Sequence, residues 1–264
     1  MKYDNMSIVI QGPFDQYIYE EYRYSDRYKE LFTEVIISCY DTDNTDVVNN
    51  GETLIKSPPP THPHNPANMY YHAYSSLMGL REVNTEFAIK VRSDDFYYGI
   101  DKFADTIIDN PDKYVNININ VSKPHISALR PSDRLIGGRT KHMMSAMENV
   151  LGWCHHFSHP VGKHTPMINM KEIPEIDRGF QANAETTFYL GYLKSVGYNL
   201  QDVEAPSNIM YETICVVDVN NMKPFVWSCH PGDSHIRHET FEWDDHHNPN
   251  VVTCTEDLYW PPRS

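Results

Sequence analysis

The chain has 264 residues, 36 acidic and 22 basic, for a formal net charge of −14. That length suits one large domain or two small ones, and the acidic balance argues against nucleic acid or an anionic membrane surface as partner, since either needs a net basic face. Hydrophobic residues make up 40% and aromatics 12%, which excludes a disordered chain and allows a sizeable core.

Residues 7–10 form a short apolar strand that ends at Gln11-Gly12-Pro13, where glycine and proline force a loop. The apolar run here is too short for a secretory signal core, and Asp4 and Asn5 interrupt it. Residues 17–32 carry a rough helical period. Residues 34–39 (EVIISC) read as a second buried strand that stops in the polar cluster 41–44, and residues 53–55 as a third. Residues 57–66 hold five prolines and exclude regular structure. A helix follows over 68–83, with Asn68 as N-cap and Met69, Ala73, Leu77 and Leu80 on one face. Residues 87–91 (FAIKV) form the next strand, residues 100–108 a helix, and residues 114–121 (YVNININV) an alternating strand.

The second half is less regular. Residues 131–140 read as a glycine-containing loop, 141–151 and 184–196 as helices, and 216–219 and 225–228 as short strands. Residues 233–264 read as an extended segment packed on the domain. Alternating β and α segments without a linker indicate one α/β domain, with a mostly parallel central sheet flanked by helices and a less regular C-terminal lobe. No stretch of about 18 apolar residues offers a membrane span. The five cysteines (39, 154, 215, 229 and 254) are scattered and lack a C-x-x-C pair, which fits a reducing cytoplasm better than a disulfide framework or a zinc ribbon.

The sharpest motif is KVRSDD, residues 90–95. It places two carboxylates where an apolar strand leaves an α/β sheet, the edge at which such sheets bind ligands. Adjacent carboxylates repel unless a cation or a donor sits between them, so the motif suggests a hard divalent ion bridging to a diphosphate. Read blandly, it is a solvated turn. Lys90 and Arg92 lie two apart and share a strand face, suited either to a donor phosphate or to a salt bridge across the sheet. Residues 155–159 (HHFSH) lack the helical spacing of a metal site and read as structural.

SIVIQGP, the Asn68…Ser75…Gly79-Leu80 pattern and FAIKVRSDD, in this order and spacing, resemble the WavE lipopolysaccharide-synthesis family. Pro131-Ser132-Asp133 followed by Gly137-Gly138 resembles the Ser-Asp…Gly segment of that family; Tyr70, Tyr71 and His72 stand where it has a polar Asn-Arg-Gln run. The resemblance spans residues 7–140 and implies a glycosyltransferase with a GT-A type nucleotide-sugar-binding fold. It divides a single domain, 1–264, into a nucleotide-sugar lobe, 1–122, and an acceptor lobe with tail, 123–264. Gln11, Gly12 and Pro13 would approach the nucleotide, and Asp41 or Asp46 would hold the base or ribose. Ser93, Asp94 and Asp95 would replace the Asp-x-Asp motif, with Asp95 on Mn2+ or Mg2+ and Asp94 on a ribose or sugar hydroxyl. His230 or His235 would complete the metal site. Lys90, Arg92 and Arg139 would meet phosphate, Arg139 alternatively an acceptor carboxylate. The general base would be Glu185, at the start of its helix, or Asp133.

The expected activity moves a sugar from a nucleotide diphosphate sugar, a UDP-sugar first, to a hydroxyl of a glycan acceptor, with inversion. Aromatic faces such as Tyr70, Tyr71, Tyr97, Tyr98, Trp153, Trp227 and Trp243 suit sugar rings. The alternatives are a nucleotidyltransferase acting on sugar phosphates and a non-catalytic carbohydrate-binding protein. The loop QGPFDQ counts against the former, because it has one glycine and no Lys or Arg.

Overall fold

Strand β1 (Tyr3–Gln11) is buried at every position from Met6 to Gln11, as a strand covered on both faces must be. The computed structural model describes residues 2–22, 24–48, 51–60, 69–117, 131–155, 184–200, 209, 212–222, 225–227 and 236–238. After β1 the chain forms α1 (Gln16–Tyr22), α2 (Tyr24–Leu31), β2 (Phe32–Tyr40), β3 (Thr53–Ser57), α3 (Met69–Leu80), β4 (Phe87–Arg92), β5 (Phe96–Tyr97), α4 (Ile100–Asp109) and β6 (Tyr114–Ile117). It continues with β7 (Leu135–Arg139), α5 (Thr140–His155), α6 (Ala184–Ser195), β8 (Ile214–Val217), β9 (Phe225–Trp227) and β10 (Ile236–His238).

Seven strands make the main sheet, in the order β3-β2-β1-β4-β7-β6-β8, and β10-β9-β5 make a small second one. The main sheet is parallel except for β7, which runs antiparallel to both β4 and β6. Period-two alternation divides the core into two clusters. Ile8, Ile10, Phe87, Ile89 and Val91 meet α1, α2 and α4 on one face. Val9, Ile36, Ala88 and Ile136 meet α3, α5 and α6 on the other. Met69, Ala73, Leu77 and Leu80 are all buried, as the helical spacing predicts.

Two expectations change. The single helical period over 17–32 is two helices, and Phe32 opens β2. Within the expected loop 131–140, Leu135–Arg139 are strand, because Gly137 and Gly138 serve packing rather than a turn. A Cβ on Gly137 would lie 2.4 Å from Ile107 Cδ1 and 2.9 Å from Phe103 Cε1, so the bare backbone lets α4 press onto the sheet. Gly137→Ala is therefore expected to destabilise the fold by about 1–3 kcal/mol through overpacking, read as a lowered urea midpoint with an unchanged slope. The expected strand over 114–121 is described as far as Ile117. Asn68 and the segment 233–264, apart from β10, lie outside the described residues. Cys39, Cys154 and Cys215 are free thiols. No helix among the described residues is long and apolar enough to cross a membrane.

Candidate active site

β1 is followed by β2 and β3 on one side, yet β4 returns to its other side. The order therefore reverses between β1 and β4, and a crevice opens outside their carboxyl ends. Gln11 is the last residue of β1 and pairs in register with Arg92, the last of β4. The two exits are stitched together. Ser93 N–H donates to the Gln11 carbonyl at 2.9 Å, and Ser93 Oγ to the Pro13 carbonyl at 2.5 Å. Ser75 Oγ, on α3, donates to Gln11 Oε1 at 2.7 Å. Gly12 sits at φ +119°, which strains any other residue, and a Cβ there would lie 3.1 Å from Ser93 Oγ.

β7 enters at this same edge because it is antiparallel, Leu135 pairing with Val91. That reversal brings Ser132, Asp133 and Arg134 beside residues 92–95. Arg134 Nη1 donates to Asp95 Oδ1 at 2.7 Å, and Tyr97 Oη donates to Asp95 Oδ2 at 3.1 Å. Arg92 grips Asp94 with a two-pronged fork, Nε to Oδ1 at 2.8 Å and Nη2 to Oδ2 at 2.6 Å. Lys90, fully buried, donates from Nζ to the Asp133 carbonyl at 2.6 Å. His72, from the first turn of α3, turns Nδ1 toward Asp133 Oδ2 at 3.5 Å.

Burial dominates the electrostatics. Asp95 is 1% exposed and its carboxyl is pushed up to about 6, with Arg134 pulling the other way. Burial drives Lys90 down to about 8 against the pull of Asp133. Burial would raise Asp133 too, but His72, Lys90 and Arg92 outweigh it and hold the carboxyl well below the usual carboxylate range. His72 is lowered by burial, with Asp133 opposing.

Among the expected site residues, Gln11, Gly12, Pro13, Lys90, Arg92, Ser93, Asp94, Asp95 and Asp133 converge on this edge. Asp41 and Asp46 are exposed beyond β2. The carboxylate that ties the β1 exit to β2 is instead Asp43, whose Oδ2 accepts from Phe14 N–H and Tyr40 N–H, both at 2.9 Å. Arg139 does not belong here: it pairs with Phe87 at the opposite end of β4 and is held there by Glu86 and Asp112. The antiparallel course of β7 carries it away, so its phosphate role is withdrawn. Glu185 is half-buried in the first turn of α6. Its helix begins at the carboxyl edge, since Tyr192, two turns on, donates to the Asp112 carbonyl at the amino edge. Tyr70, Tyr97 and Trp153 are core residues rather than sugar platforms, while Tyr98 is exposed, with Arg27 over its ring. His230, His235 and Trp243 lie outside the described residues.

The described residues do not by themselves assemble a site for the divalent ion expected on Asp95. Both of its oxygens are engaged by Arg134 and Tyr97, both oxygens of Asp94 by Arg92, and the described residues contain no group of three or more His, Cys, Asp or Glu able to hold a metal. Sequence reasoning missed Arg134 and His72 as parts of the site and gave Tyr97 to a sugar ring rather than to Asp95. Arg134 stood beside Asp133 in PSDR, and Tyr97 two residues past Asp95, but what joins them is the β7 reversal.

No family model matches the chain, and no curated protein matches it. Solved structures do. Glucosyl-3-phosphoglycerate synthase from Mycobacterium tuberculosis, in complex with Mn2+, UDP and glucosyl-3-phosphoglycerate, matches at 11% identity and TM-score 0.47, over 81% of this chain and 70% of that one. The same enzyme with UDP and phosphoglyceric acid matches at 13% identity and TM-score 0.41, over 53% of this chain and 57% of that one. S. aureus TarS 1-349 in complex with UDP-GlcNAc matches at 18% identity and TM-score 0.33, over 54% of this chain and 46% of that one. No residue role rests on these likenesses.

Proposed function

We propose that the carboxyl edge between β1 and β4 binds a nucleotide diphosphate sugar, a UDP-sugar first, and that the protein is a glycosyltransferase acting on a hydroxyl of a glycan acceptor. The observation that carries this reading is the meeting of three segments at the sheet's reversal point: the open backbone at Gly12, the charged exit at residues 92–95, and residues 132–134 leading into β7. In a chain of net charge −14, Lys90, Arg92 and Arg134 set three positive charges against the three carboxylates of this edge, Asp94, Asp95 and Asp133. Arg92 is the one best placed to meet a phosphate. Its fork occupies Nε and Nη2, its side chain is 26% exposed, and among the described residues no bond is made by Nη1, the nitrogen that would meet an incoming oxygen. Gly12, whose own N–H is bonded to the Ser38 carbonyl at 3.1 Å, offers the same ligand a turn without a side chain. In this reading residues 1–122 serve the donor and residues 123–264 the acceptor.

The test is a thermal-shift series with UDP, GDP and ADP and their glucose sugars, each with and without manganese or magnesium. A nucleoside diphosphate at about 100 times its Kd is expected to stabilise the fold by about 2.7 kcal/mol. Arg92→Gln is expected to lose that shift while keeping its own ligand-free melting point within a few degrees. If no nucleotide shifts the wild-type transition, with or without metal, the reading fails.

A further inference from the structure

We propose that His72, oriented by Asp133, is the general base that takes the proton from the acceptor hydroxyl; this rests on the glycosyl-transfer reading above. Three observations carry it. First, position: His72 lies one turn ahead of Ser75, whose hydroxyl holds Gln11 at the tip of β1, and its ring reaches Asp133 at the same edge. Second, orientation: the ring stacks on Phe188 of α6, with centroids 6.5 Å apart and planes 17° from parallel. That contact fixes its plane and turns Nδ1 toward Asp133 Oδ2. Third, an incomplete bond: Nδ1 is buried, the 3.5 Å gap to Asp133 is too long for a formed hydrogen bond, and no other atom of the described residues satisfies it. A side chain whose Nδ1 is sealed off still exposes 21% of its surface. Acid–base pairs of this kind are often loose without substrate and tighten in the complex.

The pairing gives each member one task. With Nδ1–H directed at Asp133, Nε2 carries the lone pair. The groups facing the ring are Asp133 from the β7 entry and Lys90 and Arg92 from β4. Burial, Lys90 and Arg92 keep the ring neutral at neutral pH, ready to accept a proton, and Asp133 stabilises the imidazolium that forms. Asp133 is then a positioning residue. Its Oδ2 is directed at His72, and a carboxyl held so far below its usual range is a weak base. In the transfer, the acceptor O–H bond breaks and its proton moves to Nε2. The oxygen forms a bond to the anomeric carbon, and the bond from that carbon to the diphosphate breaks. Its electron pair leaves with the nucleoside diphosphate, and the imidazolium returns its proton to water.

The experiment measures UDP release from UDP-glucose, UDP-galactose and UDP-N-acetylglucosamine, with simple mono- and disaccharides as acceptors, by wild type and by His72→Asn and His72→Ala. The expected result is a fall in kcat of about 10²–10⁴-fold, with the UDP-induced thermal shift retained. The acidic limb of the pH profile should vanish in His72→Asn, and imidazole should restore turnover to His72→Ala. Unchanged kcat in His72→Asn, or a loss carried by Glu185→Gln alone, overturns the proposal and leaves the transferase reading standing. Failure of every nucleotide to bind wild type removes that reading and the dyad with it. A second measurement needs no substrate: the long-range proton–nitrogen spectrum of His72 should show Nδ1 protonated and Nε2 bare in wild type, and this preference should weaken in Asp133→Asn. An Nε2–H tautomer in wild type overturns the proposal by itself.

Discussion

Arg134→Met is expected to destabilise the protein by about 3–5 kcal/mol at pH 7, because it strands a charge in the interior. Asp95 is 1% exposed and has two partners, Arg134 at 2.7 Å and Tyr97 at 3.1 Å. Removing the cation leaves one neutral phenol to stabilise a buried carboxylate, which desolvation already pushes up to about 6. The sign of the pH response follows. A carboxyl whose folded value exceeds its unfolded one binds more protons when folded, so this group's contribution to stability falls as pH rises from about 4 to 6. Without Arg134 that fall deepens and extends to higher pH. Arg134→Met should therefore recover stability on acidification to pH 5, and adding Asp95→Asn should recover much of it at pH 7. Urea titrations at the two pH values check both. A loss below about 1 kcal/mol at pH 7 would place the pair in the class of solvent-screened surface bridges.

Lys90 supplies the second large effect, with the opposite sign. Burial lowers its amine to about 8, so the unfolded chain binds more protons than the folded one between about pH 8 and 10.5. Its contribution to stability rises through that window by something on the order of 3 kcal/mol. The thiols of Cys39 and Cys154, raised by burial to about 11 and 12, and the raised buried tyrosines act against it in the same range. The measurable quantity is the stability of wild type minus that of Lys90→Met, in which those other groups cancel. It should grow with pH from 8 to 10. A flat difference would show that Lys90 titrates as an ordinary surface amine.

Much of the donor half was legible because its signals are local. Apolar runs ending in Gln11-Gly12-Pro13 and in Ser93-Asp94-Asp95 mark two strand exits, and the α/β alternation places both at one edge. Lys90 and Arg92 share a face as the period of two requires. What local pattern did not carry was direction. Gly137-Gly138 reads as a turn when taken alone, and only the packing of Phe103 and Ile107 over it shows why a strand needs residues without side chains. Misjudging that segment moved Arg139 into the site and left Arg134 out of it. The partners of the two carboxylates were hidden for a related reason. Two acids in a row suggest a cation, but each has a covalently tethered guanidinium as its partner, and one of those arrives from 39 residues away.

The lone antiparallel strand has an architectural consequence. The described part of β6 ends at Ile117 and β7 begins at Leu135, both at the edge where Gln11 and Arg92 end. α5 and α6 run in opposite directions, with Asn149 bonded to the Gly191 carbonyl, so the chain departs after His155 and resumes at Ala184 on that side as well. The four described ends thus share one rim. A change of length between Ile117 and Leu135, or between His155 and Ala184, therefore leaves the register of the described ladders as it is.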